Sequence, residues 1–82
     1  MLNEYIKAAM KKATYKLLEE GEGYFGQIPE FQGLWVNADT LENCQLELEE
    51  ALEEWILLGL KLGHTLPEIE GIILDFTKIE VA

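Results

Sequence analysis

Acidic side chains are the most abundant group in this sequence that could do chemistry. The chain has 82 residues, with 16 Asp and Glu against six Lys and no Arg, and its net charge is −10. A hydrolytic metal site needs two or three carboxylates that converge on one point. A helix distributes its carboxylates along its length instead. We therefore predict no metal or cofactor site, and instead a solvated or partner-facing surface, at Glu47, Glu49, Glu50, Glu53 and Glu54.

One looser set of acids leaves nuclease chemistry open as an alternative. Glu19, Glu42 and Asp75 could hold divalent cations if the fold brought them together, as in a two-metal nuclease. Glu19 lies beside the glycines of a predicted hairpin turn, at the end of a strand. We therefore expect that the three carboxylates do not converge and that the protein is not an enzyme.

Nucleophilic catalysis has little material in this chain, which has one His, one Cys and no Ser. His64 follows a predicted helix end, so we expect a capping or loop residue; a general base is the alternative. Cys44 falls on an apolar helix stripe and is interpreted as an inert core thiol. We assign no catalytic residue. A single cysteine cannot form an intramolecular disulfide, which favours a reducing, cytoplasmic location.

Charge and hydropathy narrow the classes of partner. A net charge of −10 disfavours direct contact with nucleic acid, since such proteins need a basic footprint, and it favours a basic partner. We see no signal peptide, and the longest apolar run, residues 55–60, is too short to span a bilayer. We therefore expect no membrane contact.

Hydrophobic periodicity predicts the elements that position these residues. A helical stripe over residues 1–13 is followed by period-two strands at 14–18, 24–28 and 34–37. A long helix begins at Asp39, which we predict to form a capping box with Glu42, and ends at Gly59 or Gly63. A last strand is expected over 72–76, with Ile79 and Val81 beyond it. The predicted fold is α+β, in the order α-β-β-β-α-β, with a small antiparallel meander packed by the long helix.

The long helix also predicts self-association. It would reach about 34 Å, whereas a five-residue strand spans about 17 Å, so its C-terminal half would extend past the sheet. Ile56, Leu57 and Leu60 lie beyond what one apolar stripe can bury. We predict that these three residues form the interface of a homo-oligomer, a dimer or a tetramer.

Four stretches of the sequence resemble the HicB-like antitoxin family. Residues 23–33, GYFGQIPEFQG, resemble its G-Y-x-x-x-(aliphatic)-P-(D/E)-(L/F)-x-G pattern, and residues 38–42 resemble its D-T-L-E helix start. Residues 51–55 continue like its E-A-L-x-x-(aromatic) helix, and 64–68 are similar to its G-x-x-(I/L)-P-x-P segment after the helix. The resemblance covers roughly residues 14–70.

This resemblance implies a fold, a function and a partner. The fold would be a degenerate, ribonuclease-H-like one without its catalytic acids. We expect a single domain over residues 1–82, with the core at 14–82 and the amphipathic helix at 1–13 as an addition outside the family core. Family members typically neutralise HicA-type toxins, which are small, basic, RNA-cleaving proteins. Many members also carry a C-terminal DNA-binding part, which we do not expect in this short form. Two function classes stay open beside this one: a homo-oligomeric scaffold or ligand-binding module without a toxin, and the metal-dependent nuclease.

For a HicA-like partner we predict a contact surface in two parts. The acidic helix face would contribute Glu47, Glu50 and Glu54, and the open sheet would contribute Phe25 and Trp35 as aromatic anchors. The alternative for Trp35 is a core position that faces the helices. Side chains alternate along a strand, so Leu34 and Val36 would then face outward.

Overall fold

The protein folds as two helices and a three-stranded sheet in a computed structural model, which describes residues 2–72. The elements are α1 (Leu2–Lys11), β1 (Thr14–Leu17), β2 (Tyr24–Gln27), β3 (Trp35–Ala38) and α2 (Leu41–Leu62). This architecture confirms the predicted α+β class and the order of elements from the first helix to the long helix. The predicted last strand lies outside the described residues beyond Ile72, which forms an isolated antiparallel bridge with Ile69.

The sheet is an antiparallel meander with strand order β1-β2-β3. Its registers place Tyr15, Gly26 and Val36 in one cross-strand row. This row faces α2, and Gly26 allows the closest approach, because a Cβ there would lie 2.8 Å from the Cys44 sulfur and 3.1 Å from the Tyr15 ring. A larger residue at Gly26 would push α2 away from the sheet.

Local capping sets both ends of α2. Thr40 is the N-cap, and its side-chain oxygen accepts a hydrogen bond of 3.1 Å from the backbone N–H of Asn43. The predicted capping box of Asp39 with Glu42 is therefore wrong by one residue. At the other end Gly63 has φ +70°, and the N–H groups of Gly63 and His64 donate to the carbonyls of Leu60 and Gly59. The sequence predicted that the helix ends at Gly59 or Gly63, and the structure shows that it ends at Gly63.

The buried ridge of α2 consists of residues four apart: Cys44, Leu48, Leu52 and Ile56. Its first half packs on the sheet, where Cys44 lies against Gly26. α1 lies near both halves of α2, with Met10 near Leu46 and Ile6 near Ile56. The segment after the helix packs on the last turn, where Leu66 lies against Gly59. The two ends of α2 therefore differ in one packing partner, the sheet at Cys44 and the Leu66 segment at Gly59.

Tyr5 ties α1 to the rest of the core. Its side chain is fully buried, its ring meets Phe31 edge to face at 6.3 Å, and its hydroxyl donates to the Pro67 carbonyl oxygen at 2.5 Å. α1 has only ten residues, too few for a stable isolated helix. Tertiary packing through Tyr5 and its neighbours Ile6, Ala8 and Ala9 therefore holds it in place.

One residue predicted to form an oligomer interface lies in this core. Ile56 is only 2% exposed, so the prediction of an interface role for it is wrong. The physical reason is that the ridge of α2 turns toward α1, and Ile6 and Ile56 belong to the same buried cluster. Leu57 and Leu60, at 55% and 37% exposed, stay on the surface, as do Leu58 and Leu62.

Candidate functional site

The outer surface of α2 carries a ridge of exposed glutamates. Glu47, Glu50 and Glu54 are three, four and seven residues apart, so they follow one side of the helix, away from the buried ridge at Leu48 and Leu52. Each carboxylate therefore has at least one like-charged neighbour on the next turn. The structure thus brings together the three acids that the sequence predicted as a partner surface.

These acids surround an apolar depression. It has a volume of about 730 Å³ and is lined by Val36 from β3 and by Ala51 and Leu57 from α2. Glu47, Glu50, Glu53 and Glu54 complete its lining. This apolar floor was not predicted from the sequence, because Val36 comes near α2 only through the pairing of β3 with the rest of the sheet. We call the whole feature the acidic depression.

The aromatic half of the predicted surface lies on the open side of the sheet. Phe25 and Trp35 stack with ring centroids 5.7 Å apart and an angle of 24° between the ring planes. Trp35 is 58% exposed, whereas Val36 packs against the core and Leu34 is buried. The core alternative for Trp35 is therefore wrong, because its side chain faces away from the helices.

The two halves of the predicted partner surface lie on opposite faces of the sheet. Phe25 and Trp35 share one face of the sheet, and α2 packs on the other face through the row that contains Gly26. The acidic depression lies beside α2 on the helix side of β3, because Val36 lines it. Trp35, the residue before Val36, faces the other side of the same strand, so the depression and the aromatic pair are separate surfaces on opposite faces of β3.

A third surface feature is an open cleft of about 720 Å³ between two proline-containing loops. It is lined by Pro29 and Phe31 from the loop after β2 and by Leu66 and Pro67 from the segment after α2, with Trp55 between them. Both loops belong to stretches that carried the family resemblance. The fold therefore brings two distant motifs to one place, a proximity that was not predicted from the sequence.

The two side chains that could act as a nucleophile or a base, Cys44 and His64, lie in positions typical of structural residues. Cys44 is fully buried, and its thiol donates a long hydrogen bond of 3.7 Å to the Tyr24 carbonyl oxygen. Burial, with a smaller effect of the Glu47 charge, raises the pKa of the Cys44 thiol, which disfavours the thiolate. His64 is exposed, and its backbone N–H helps to end α2, as expected of a capping residue.

The acids proposed for the nuclease alternative are distributed over different elements. Glu19 lies in the turn after β1. Glu42 lies in the first turn of α2, where its negative charge interacts favourably with the helix dipole. Asp75 lies outside the described residues. Among residues 2–72, no group of three or more His, Cys, Asp or Glu side chains is placed to hold a metal ion. Within the same range, neither helix is both long and apolar enough to cross a membrane.

Comparison with known proteins agrees with this architecture. The model of the UPF0150-like family matches residues 4–67, which include most of α1 and all of the sheet and α2, so the chain belongs to this family. The chain is also similar to the protein TTHA0281 of Thermus thermophilus, known from a crystal structure. The two share 35% sequence identity and a TM-score of 0.84, over 90% of this chain and 91% of that one. A comparison with curated proteins gives no match.

Proposed function

We propose that this member of the UPF0150-like family is a HicB-like antitoxin or an antitoxin-derived domain that acts in the cytoplasm. It would neutralise a small, basic, RNA-cleaving protein of the HicA type by direct contact. The observation that carries the proposal is the acidic depression, where four glutamates surround an apolar floor. The resemblance of residues 23–33 and 38–42 to the HicB-like pattern supports the same class.

The depression suits a basic protein surface for two physical reasons. Lys and Arg carry long apolar stems, which can pack on Val36, Ala51 and Leu57 while the charged ends reach the surrounding carboxylates. The row of carboxylates also resembles a phosphate backbone in charge. A toxin that binds RNA through a basic face would therefore present that same face to the antitoxin, which would exclude the RNA.

A charge-reversal experiment with a matched control tests this proposal. The probe is a small basic HicA-type protein encoded beside this chain, whose presence in the genome is the first check. We expect the triple variant Glu47→Lys, Glu50→Lys, Glu54→Lys to slow association with it about tenfold or more, because charges at an interface mainly set the on-rate. The control variant reverses three acids of the β1–β2 turn, Glu19, Glu20 and Glu22, and thus has the same net charge.

The result is read from association rates by surface plasmon resonance and from rescue of growth in cells that express the toxin. The helix variant should lose both association and rescue, while the turn variant should keep both. Equal weakening in the two triple variants would mean that net charge alone drives the contact. Unchanged binding of the helix variant would show that the acidic depression is not the site.

The alternative of a ligand-binding module without a toxin has one specific observation in its favour. The cleft between the proline-containing loops is lined by apolar side chains together with Glu30, His64 and Thr65, a mixture typical of small-molecule sites. Trp55 lines this cleft, so its fluorescence would report an occupant. A small-molecule screen read by Trp55 emission in a Trp35→Phe background would favour this alternative if it found saturable binding and if no basic partner bound the acidic depression.

A further inference from the structure

Among the described residues, the six strand positions that face away from the helices include no acid. The strand registers place two rows of three residues there, Thr14, Gln27 and Trp35 in one row and Lys16, Phe25 and Asn37 in the other. None of the chain's 16 acids is at these six positions, and Lys16 is the one charged residue among them. We call this surface the open sheet face.

Binding of a partner to the open sheet face would cost little side-chain entropy and leave no amide donor of Asn37 unpaired. The stacked rings of Phe25 and Trp35 hold each other in place, so little side-chain entropy remains to be lost on binding. The Asn37 amide already donates to the carbonyl oxygens of Tyr24 at 2.9 Å and of Glu22 at 3.2 Å. Covering Asn37 therefore leaves no amide donor of its side chain without a partner.

We propose that the open sheet face is where a second copy of this chain binds, with Trp35 and Phe25 as the anchors of a two-fold dimer. Two chains that each carry a charge of −10 repel, and contact is favourable only where neither presents carboxylates. The open sheet face meets that condition and adds an exposed aromatic pair. A basic partner gains little there, because none of the six described positions is acidic and Lys16 would repel it.

The exposed leucines of α2 fit a second copy less well. Leu57 shares the acidic depression with Glu50, Glu53 and Glu54. A two-fold contact through Leu57 would bring these acids against the same acids of the other copy, which costs free energy. In contrast, a two-fold contact with the sheets antiparallel places the acidic turns at residues 19–22 at opposite ends of the dimer. This proposal does not rest on the proposed antitoxin function, since it uses the face of the sheet opposite to the acidic depression.

Light scattering after size exclusion, with sedimentation equilibrium, tests the interface. The wild-type protein should have twice the 9.4 kDa mass of one chain at micromolar concentration. Trp35→Thr keeps a strand-forming residue at an exposed position and should raise the dimer dissociation constant about 30-fold or more, as expected for a central aromatic anchor. Phe25→Thr should act in the same direction. The matched control Leu57→Gln removes an equally exposed apolar side chain and should leave the dimer intact.

A second readout uses the folded protein without changing the interface. In a Trp55→Phe background Trp35 is the one tryptophan, and its quenching by iodide should decrease as protein concentration rises. Salt separates this contact from that of the proposed basic partner: raising NaCl screens the repulsion between two acidic chains and should tighten the dimer, whereas it should weaken binding at the acidic depression.

Three outcomes would overturn the proposal. The first is a wild-type protein of 9.4 kDa throughout the micromolar range. The second is a folded Trp35→Thr variant that stays dimeric while Leu57→Gln dissociates, which would place the interface on α2. The third is a Trp35 that becomes protected from iodide only when a basic protein is added, which would assign the open sheet face to that partner.

Discussion

Replacing Glu50 by Gln should make the protein more stable while it weakens binding of a basic partner. Glu50 lies three residues from Glu47 and Glu53 and four residues from Glu54, so three like charges surround it on the outer side of α2. Gln has nearly the same helix propensity as Glu, so the substitution changes the charge and little else.

The size of the gain follows from these three pairs. Like-charge pairs at such spacings destabilise a helix by about 0.2–0.5 kcal/mol each, so their removal should raise the free energy of unfolding by about 1 kcal/mol. For a domain of this size, that corresponds to a rise in Tm of about 4–8 °C. In about 1 M NaCl the Debye length falls to about 3 Å, and most of the gain should disappear.

Thermal unfolding at low and high salt measures this effect. Glu42→Gln is the matched control. Glu42 lies in the first turn of α2, where its negative charge interacts favourably with the helix dipole and stabilises the helix. In the control variant the free energy of unfolding should therefore fall by about 0.3–1 kcal/mol, whereas in Glu50→Gln it should rise. A Tm below that of wild type for Glu50→Gln, or a gain of the same size at both salt concentrations, would refute the charge-repulsion account.

Three further predictions concern the core. Tyr5→Phe removes the hydrogen bond to Pro67 and should lower the free energy of unfolding by about 1 kcal/mol at neutral pH in urea titrations. Burial raises the pKa of Tyr5 from 10.0 to about 12, so its contribution is complete below pH 10 and is lost as pH rises toward 12; the Phe variant should lack that loss. Gly26→Ala should lower the free energy of unfolding by about 1–3 kcal/mol, because its methyl group would meet the Cys44 sulfur. Adding Cys44→Ala to the same chain should recover part of that stability. If the losses of the two substitutions were simply additive, this packing would be contradicted. Cys44 in the folded protein should react with a thiol reagent far more slowly than in urea; equal rates would show that the thiol is accessible.

The order of elements could be predicted because strong local signals separate them. Pro29 stops the second strand, the glycines at 21 and 23 form the first turn with positive φ, and Gly63 ends α2 in the left-handed conformation. The N-cap residue of α2 was harder to predict, because Asp39 and Thr40 are both good capping residues. Only the backbone of Thr40, at φ −125° and ψ 160°, shows which of them has the N-cap position.

The surfaces were less predictable, because they depend on tertiary contacts. Leu34, Trp35 and Val36 are all apolar, so a period-two pattern could not show which of them faces the helices. The pairing of Val36 with Gly26 decides it, because that row lies under α2. Ile56 was assigned to the surface for a similar reason, since its burial requires α1, whose position the periodicity of α2 does not encode.

The two ends of α2 have different packing partners, which has a consequence for how this helix opens to solvent. The first turns contact the sheet, where Cys44 lies against Gly26, whereas the last turn contacts the segment after the helix, where Leu66 lies against Gly59. The two ends can therefore open with different free energies. Loosening the contact of Leu66 with Gly59 should speed amide hydrogen exchange in the last turns of α2 and leave the turns near Cys44 protected. The acidic depression is lined by residues of α2 from Glu47 to Leu57, so opening of the C-terminal end would reach it first at Leu57.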